Sequence, residues 1–151
     1  MADVTTCSER WGGPASFSST RPRGHFVGAL VLFPVPPATM LQVSTALVEA
    51  SRGLAIGFGF VEESADHRFF NSFAYCEYGR LTHVHRKVYL PTYGLFEEGR
   101  LYAPGEHIRA FDTQLGRLGA IVCEDLWHPH IARRLALAGG KMLAVLSAGP
   151  G

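Results

Sequence analysis

Cys123, one of three cysteines, ends the apolar run RLGAIVC and is followed directly by Glu124 and Asp125. The pattern predicts a strand over 117–123 and a helix starting near Pro129, so the thiol would project from a strand-to-helix turn. There, free amide N–H groups and the positive end of a helix dipole favour a thiolate and an oxyanion. A small buried core residue is the alternative, but packing has no use for the polar cluster that follows. We therefore expect Cys123 to be a nucleophile.

Lys87 is the second candidate for chemistry. The 14 Lys and Arg residues include only two lysines, Lys87 and Lys141, and Lys87 directly follows an arginine. A desolvated lysine can act as an acid, a base or a partner of an oxyanion, whereas arginine stays protonated. The alternative is a solvated lysine at the end of a strand. The rarity of lysine does not by itself decide between them.

Acidic and histidine pairs supply further candidates. Glu97 and Glu98 lie in the long segment KVYLPTYGLFEEGRLYAPG, where a carboxylate could position the lysine. We interpret Glu97 as part of an exposed turn. Two His-x-His pairs, 83/85 and 128/130, raise the alternative of a zinc site, although their spacing fixes no third or fourth ligand.

Composition excludes several classes of protein. The 151 residues are 47% hydrophobic and 18% charged, with a formal net charge of +1 and no block of like charge. Nucleic acids and anionic membranes call for a clustered basic surface, so neither is an expected partner. The longest apolar run, 26–33, is too short to span a bilayer. Three widely spaced cysteines give no disulfide framework, which favours a cytoplasmic location.

Apolar and turn residues predict the elements that would position these side chains. The segment 89–107 has no periodicity and predicts a long irregular loop, which in a compact domain is usually functional. Helices are predicted over 40–51 and 130–138. The content indicates an α/β (or α+β) fold class. Seven strands are predicted, with an antiparallel meander among them: 27–33, 54–61, 69–77, 81–88, 108–113, 117–123 and 142–146.

Two long motifs resemble a known family. The segments HRKVYLPTYGLFEEGRLYAPG and GRLGAIVCEDLWHP resemble the lysine and cysteine blocks of the nitrilase-type carbon–nitrogen hydrolases. The resemblance covers roughly residues 54–149 and implies an α-β-β-α sandwich, here a partial one. It implies hydrolysis of amides or nitriles through a Glu-Lys-Cys triad, without a metal or an organic cofactor. The residues of these two motifs also resemble those of the glutamine-hydrolysing domain attached to some NAD synthetases.

The resemblance assigns a role to each matching residue. It implies Cys123 as the nucleophile that becomes an acyl-enzyme, and Lys87 as the oxyanion partner together with the backbone N–H of Glu124. It implies Glu98 as the second glutamate of the family, which supports the lysine. Tyr93 lies in the loop that lines the substrate pocket in the family. We also expect Glu124 and Trp127, which flank the nucleophile, to contact substrate.

One position departs from the family pattern. The first glutamate of the family, the general base, follows a strand as Phe-Pro-Glu, whereas Phe33-Pro34 is followed here by Val35. Without that carboxylate, catalysis is expected to fall by orders of magnitude. We interpret residues 1–25 as a disordered or aberrant arm, and residues 26–151 as a partial carbon–nitrogen hydrolase domain whose C-terminal portion is missing.

Several functions therefore remain open at the level of sequence. The first is a hydrolase of a small amide or nitrile, active through Cys123, Lys87 and Glu98. The alternatives are a catalytically inactive fragment lacking the general base, and a glutamine amidohydrolase domain that supplies ammonia to NAD synthesis. Because a partial sandwich leaves apolar strands uncovered, we expect the folded chain to form homo-oligomers.

Overall fold

Two small β-sheets face each other in the computed structural model, which describes residues 26–30, 45–94 and 96–147. The first sheet has the order β1-β2-β3-β4 and the second the order β5-β6-β7. The strands of the first sheet are β1 (Phe26–Leu30), β2 (Ala55–Glu63), β3 (Phe69–Glu77) and β4 (Arg80–Arg86). Those of the second are β5 (Ala110–Thr113), β6 (Gly116–Val122) and β7 (Met142–Leu146).

The strand pairings combine hairpins with parallel neighbours. Strands β2, β3 and β4 form the predicted antiparallel meander, and β5 and β6 form the predicted hairpin. Strand β1 is parallel to β2, and β7 is parallel to β6. Between β3 and β4, Tyr78 and Gly79 have φ values of 55° and 71°. Both lie in the left-handed region that a two-residue type I′ turn requires, which explains a glycine at position 79.

The main core lies between the two sheets. Alternate side chains of a strand point to opposite faces, so one face of each sheet supplies apolar residues to this layer. Phe73 and Tyr75 of β3 are buried there and belong to the same cluster as the β6 residues. The β6 and β7 members of the cluster are Leu118, Ala120, Val122 and Leu146.

Helices cover the outer faces of both sheets. Helical residues 45–50 contribute Leu47 and Val48, which pack on the outer face of β2 and β3. Helix α2 (Pro129–Leu137) packs on the second sheet, where Ile131 and Leu135 are buried against Ile121. A Cβ at Gly119 would lie 2.7 Å from Leu135, so the glycine permits this close approach. The layers are therefore α-β-β-α, the arrangement that the family resemblance implies.

Two further elements modify the sequence-based expectations. The segment 89–107, predicted to be an irregular loop, contains a short helix, α1 (Glu98–Leu101). A 3₁₀ turn, Cys123–Trp127, joins β6 to the loop before α2. The predicted arm 1–25, the first turn of the helix predicted over 40–51 and Val35 all lie outside the described residues. Among the described residues, no helix has the length and apolar character needed to cross a bilayer.

Candidate active site

Lys87 follows β4 directly and points into the protein. Its side chain is only 1% exposed, and its Nζ donates a hydrogen bond to Glu98 Oε2 at 2.6 Å. The carbonyl of Lys87 accepts from the Gly105 N–H at 2.7 Å. A Cβ at Gly105 would lie 2.2 Å from the Arg86 carbonyl oxygen, so the loop can approach β4 only with glycine there. Lys87 is therefore not a solvated lysine at a strand end; it is buried and paired with Glu98.

The acidic pair divides between two environments. Glu98 begins helix α1 and lies against Lys87 with 21% of its side chain exposed. Glu97 is 61% exposed and pairs with Arg100, one turn further along the same segment. Only Glu98 of the two contacts Lys87, which agrees with the interpretation of Glu97 as part of an exposed turn.

Cys123 lies where β6 ends and the 3₁₀ turn begins. Its thiol is free and half-buried, and its φ of 47° places it in the left-handed region, which a non-glycine residue seldom adopts. Backbone strain of this kind clusters at functional turns, where the surrounding structure maintains it. Cys76, in contrast, is fully buried in β3, and burial raises the pKa of its thiol to about 11. Of these two cysteines, Cys123 is therefore the accessible one.

Two of the three predicted substrate contacts come together beside Cys123. The hydroxyl of Tyr93 donates to Glu124 Oε2 at 2.7 Å. This hydrogen bond to the Glu124 carboxylate raises the pKa of Tyr93, and desolvation and the negative charge of Glu124 add to the shift. Trp127 lies at the end of the same 3₁₀ turn, but 77% of its side chain is exposed. The structure thus joins Tyr93 to Glu124 and leaves Trp127 directed mainly to solvent.

A buried carboxylate, Asp125, connects the cysteine turn to the lysine segment. Its Oδ1 accepts from the backbone N–H groups of Val88 and Tyr89 at 3.1 and 2.8 Å. Its Oδ2 lies 3.1 Å from His85 Nε2 and accepts from the Val122 N–H at 3.4 Å. The residue is 0% exposed. In the sequence Asp125 stands out only as part of the polar cluster after Cys123, and an acid so soon after a buried strand is the signal that could single it out.

The four histidines of the two His-x-His pairs have separate partners. His83 stacks on Phe111 with ring centroids 4.0 Å apart, whereas His85 faces Asp125. His128 stacks on Tyr89, and His130 Nε2 lies 2.9 Å from the Tyr89 hydroxyl. Across the described part of the chain, no three His, Cys, Asp or Glu side chains come together as a set that could hold a metal ion.

His83 predicts a pH dependence of stability. Its Nε2 is buried without a hydrogen-bond partner, and desolvation, with smaller contributions from His85 and Arg109, lowers its pKa to about 4. Between the ordinary value of 6.5 and about 4, the unfolded chain therefore binds a proton that the folded chain does not. The free energy of unfolding is expected to fall as pH decreases through this range. Urea midpoints measured from pH 7 to 4 should show a shallower slope for His83→Phe; equal slopes would contradict the assignment.

The chain has relatives of known identity. A sequence profile of the family described as carbon-nitrogen hydrolase matches residues 31–150. The glutamine-dependent NAD(+) synthetase of Thermotoga maritima is 34% identical over 100 residues, which cover 65% of this chain and 17% of that protein. Omega-amidase NIT3 of Saccharomyces cerevisiae is 29% identical over 126 residues, which cover 78% of this chain and 43% of that protein.

Solved structures agree with these sequence matches. The glutamine-dependent NAD+ synthetase of Acinetobacter baumannii is 27% identical and superposes with a TM-score of 0.68, covering 76% of this chain and 22% of that one. The chain therefore spans well under two thirds of the length of each of these relatives. The family profile, in contrast, covers most of the sequence, including both motif blocks. The chain therefore belongs to the carbon–nitrogen hydrolase family.

Proposed function

We propose that this chain hydrolyses the carbon–nitrogen bond of a small amide or nitrile through a thioester on Cys123. The observation that carries the proposal is the ion pair between buried Lys87, at the end of β4, and Glu98. The two amides directly after Lys87 donate to Asp125, which lies on the turn that bears Cys123. An ammonium that is 1% exposed and held by one carboxylate is costly to maintain for stability alone. Its placement suits an anion that forms during a reaction.

The proposed reaction proceeds in two steps. With an amide substrate, the thiolate sulfur of Cys123 attacks the carbonyl carbon, and the displaced electron pair forms an oxyanion that accepts hydrogen bonds from Lys87 Nζ and the Glu124 backbone N–H. Collapse of this intermediate breaks the carbon–nitrogen bond, and the leaving amine takes a proton. Water then attacks the thioester carbonyl, releasing the acid and restoring the thiol. Glu98 holds the ammonium of Lys87 in place throughout.

Proton transfer is the step affected by the departure from the family motif. The position of the family's general base carries Val35, which lies outside the described residues. Without a carboxylate there, no side chain is assigned to take the thiol proton or give one to the leaving amine. A catalytically inactive chain is the alternative that this substitution favours. In a chain that retains activity, amide turnover is expected to be limited by proton transfer rather than by attack of the thiolate.

An activated ester separates attack from proton transfer. Because p-nitrophenolate leaves without a proton, p-nitrophenyl acetate requires only the thiolate and the oxyanion donors. We expect a burst of p-nitrophenolate, at most one equivalent per chain, followed by slow turnover. The Cys76→Ala variant, a matched control at a buried cysteine, should give the same burst as the parent chain. Absence of a burst from the folded parent chain would contradict the proposed function.

A second candidate is hydrolysis of glutamine, to supply ammonia for NAD synthesis. The favouring observation is the Tyr93–Glu124 pair, which presents a carboxylate next to Cys123 and suits a substrate with a cationic α-amino group. The NAD synthetase relatives agree with this substrate class. A neutral amide such as acetamide has no ammonium to be recognised in this way.

Substitution of Glu124 distinguishes the two substrate classes. Removing the charge in Glu124→Gln should raise KM for glutamine by about tenfold, the loss expected for one charge-assisted hydrogen bond of ~1.5 kcal/mol. KM for acetamide should change little, since its recognition does not involve an ammonium. Steady-state ammonia release from both substrates measures the difference. An equal effect on both would exclude Glu124 as the amine-binding group.

A further inference from the structure

Asp125 contacts the lysine segment on both sides of Lys87. His85, two residues before the lysine, faces one carboxylate oxygen, and the amides of Val88 and Tyr89, directly after it, donate to the other. His85 Nε2 and Asp125 Oδ2 lie 3.1 Å apart, within hydrogen-bond distance. Three contacts thus bracket Lys87 within five residues of chain.

The same carboxylate also fixes the turn that carries the nucleophile. Asp125 lies two residues after Cys123, and its Oδ2 accepts a hydrogen bond from the backbone N–H of Val122, which is the last residue of β6. This contact folds the 3₁₀ turn back onto the strand end and spans Cys123, whose φ of 47° needs such support. One buried side chain therefore contacts the segments on which both Lys87 and Cys123 lie.

A purely structural role explains these contacts less well. Burying a carboxylate is costly. An apolar side chain of similar size would avoid that cost but would leave the Val88 and Tyr89 N–H groups without this acceptor, so Asp125 supplies hydrogen bonds rather than filled space. Four hydrogen bonds from two different segments restrict the relative position of those segments more tightly than apolar packing does. Reactive groups must be held within about 0.5 Å of their productive geometry, which makes such restriction useful at this position.

We propose that Asp125 is a positioning residue that holds the ammonium of Lys87 in register with the thiol of Cys123. The inference rests on the proposed function, because it assigns Asp125 to the formation of the acyl-enzyme. Asp125 itself does not touch the reacting atoms. It acts through the backbone of Val88 and Tyr89, which directly follows the lysine, and through the 3₁₀ turn.

Two reactions of the same thiol test this role. Iodoacetamide alkylates Cys123 by displacement of iodide and forms no oxyanion, so its rate reports thiol access and folding. Acylation by p-nitrophenyl acetate forms a sulfur–carbon bond and expels p-nitrophenolate. It passes through an oxyanion intermediate to which Lys87 Nζ donates a hydrogen bond. Loss of positioning should slow acylation and spare alkylation, whereas general loosening of the fold changes both.

The test variant is Asp125→Asn, in which one amide NH₂ replaces an acceptor facing His85 and the Val122 N–H. We expect the acylation burst to slow by on the order of tenfold, since a misplacement of ~1 Å costs up to about 10²-fold, while alkylation stays within about twofold of the parent rate. Asp112→Asn is the matched control, because the Asp112 side chain is 80% exposed and pairs, among the described residues, with Arg117 on the β5–β6 hairpin. It should leave both rates unchanged.

Two results with Asp125→Asn would overturn the proposal, and a second variant decides the matter if Asp125→Asn does not fold. Unchanged acylation in folded Asp125→Asn, or an equal loss in both reactions, would show that Asp125 does not position Lys87. If Asp125→Asn does not fold, His85→Phe removes one contact and keeps the ring shape; slower acylation with normal alkylation then supports the proposal, and two normal rates oppose it. A parent chain that alkylates at Cys123 but never acylates would instead contradict the proposed function, and this inference falls with it.

Discussion

Replacing Lys87 by Met is expected to slow acylation of the chain by p-nitrophenyl acetate by about 10²–10³-fold, the loss typical of one removed oxyanion donor. Methionine has nearly the length of lysine and keeps the apolar stem, so the buried space stays filled. Glu98 loses its partner, but it is 21% exposed and can be hydrated. Burst kinetics, read from the release of p-nitrophenolate, measure the effect.

Lys141→Met is the matched control for this prediction. Lys141 is the other lysine of the chain and is exposed, directly before β7. It should acylate at the parent rate. If Lys87→Met folds with a normal urea midpoint and acylates like the parent, the lysine does not meet the oxyanion and the buried ion pair has another role.

Introducing a carboxylate at position 35 is expected to raise amide turnover by about 10²–10⁴-fold, the contribution of a positioned general acid–base. The resemblance of Phe33-Pro34 to the family's Phe-Pro-Glu motif implies that position 35 corresponds to the first glutamate of the family. In Val35→Glu that group would take the thiol proton and then return a proton to the leaving amine. Ammonia release from acetamide and glutamine measures the gain.

The isosteric Val35→Gln variant isolates the carboxylate in this experiment. It has the same side-chain length as glutamate but no titratable group, so its turnover should remain at the parent level. Acylation by p-nitrophenyl acetate should differ less between the two variants than amide turnover does, because its leaving group needs no proton. Equal ammonia release from Val35→Glu and Val35→Gln would show that position 35 is not the place of the base.

Much of the described fold follows from local patterns in the sequence. Alternation and apolar runs predict the strands, since side chains two apart share a face and one face of each sheet is buried. Pro129 and the pair Gly139-Gly140 predict the limits of α2 to within a residue or two. Which strands lie next to each other is a different matter. The parallel pairing of β6 with β7 joins segments separated by a helix, and no local pattern specifies it.

The short elements escaped prediction for a physical reason. Helix α1 has four residues and the 3₁₀ turn has five, too few to show a period or to be stable alone. Contacts made elsewhere hold them: Glu98 of α1 is bound by Lys87, and Asp125 of the turn is bound by the amides after Lys87. Such elements follow from the tertiary structure rather than from their own sequence.

Residue types and motifs predicted the candidate catalytic residues better than they predicted the residue that contacts both of their segments. Cys123, Lys87 and Glu98 were predicted from their types, their surroundings and the family resemblance. Asp125 required the structure, because its partners in the lysine segment are 36 to 40 residues away along the chain. The exposure of Trp127 was equally invisible in the sequence, since aromatic residues after a nucleophile can either line a pocket or face solvent.

The central claim is that Cys123 forms the acyl-enzyme, and the position of a trapped acetyl group tests it most directly. The folded chain is treated with p-nitrophenyl acetate, quenched in acid during the burst and digested, and the modified peptide is identified by mass spectrometry. We expect one acetyl group on Cys123, and none on that peptide in Cys123→Ser under the same quench. An acetyl group on Cys76 or Cys7, with Cys123 unmodified, would contradict it.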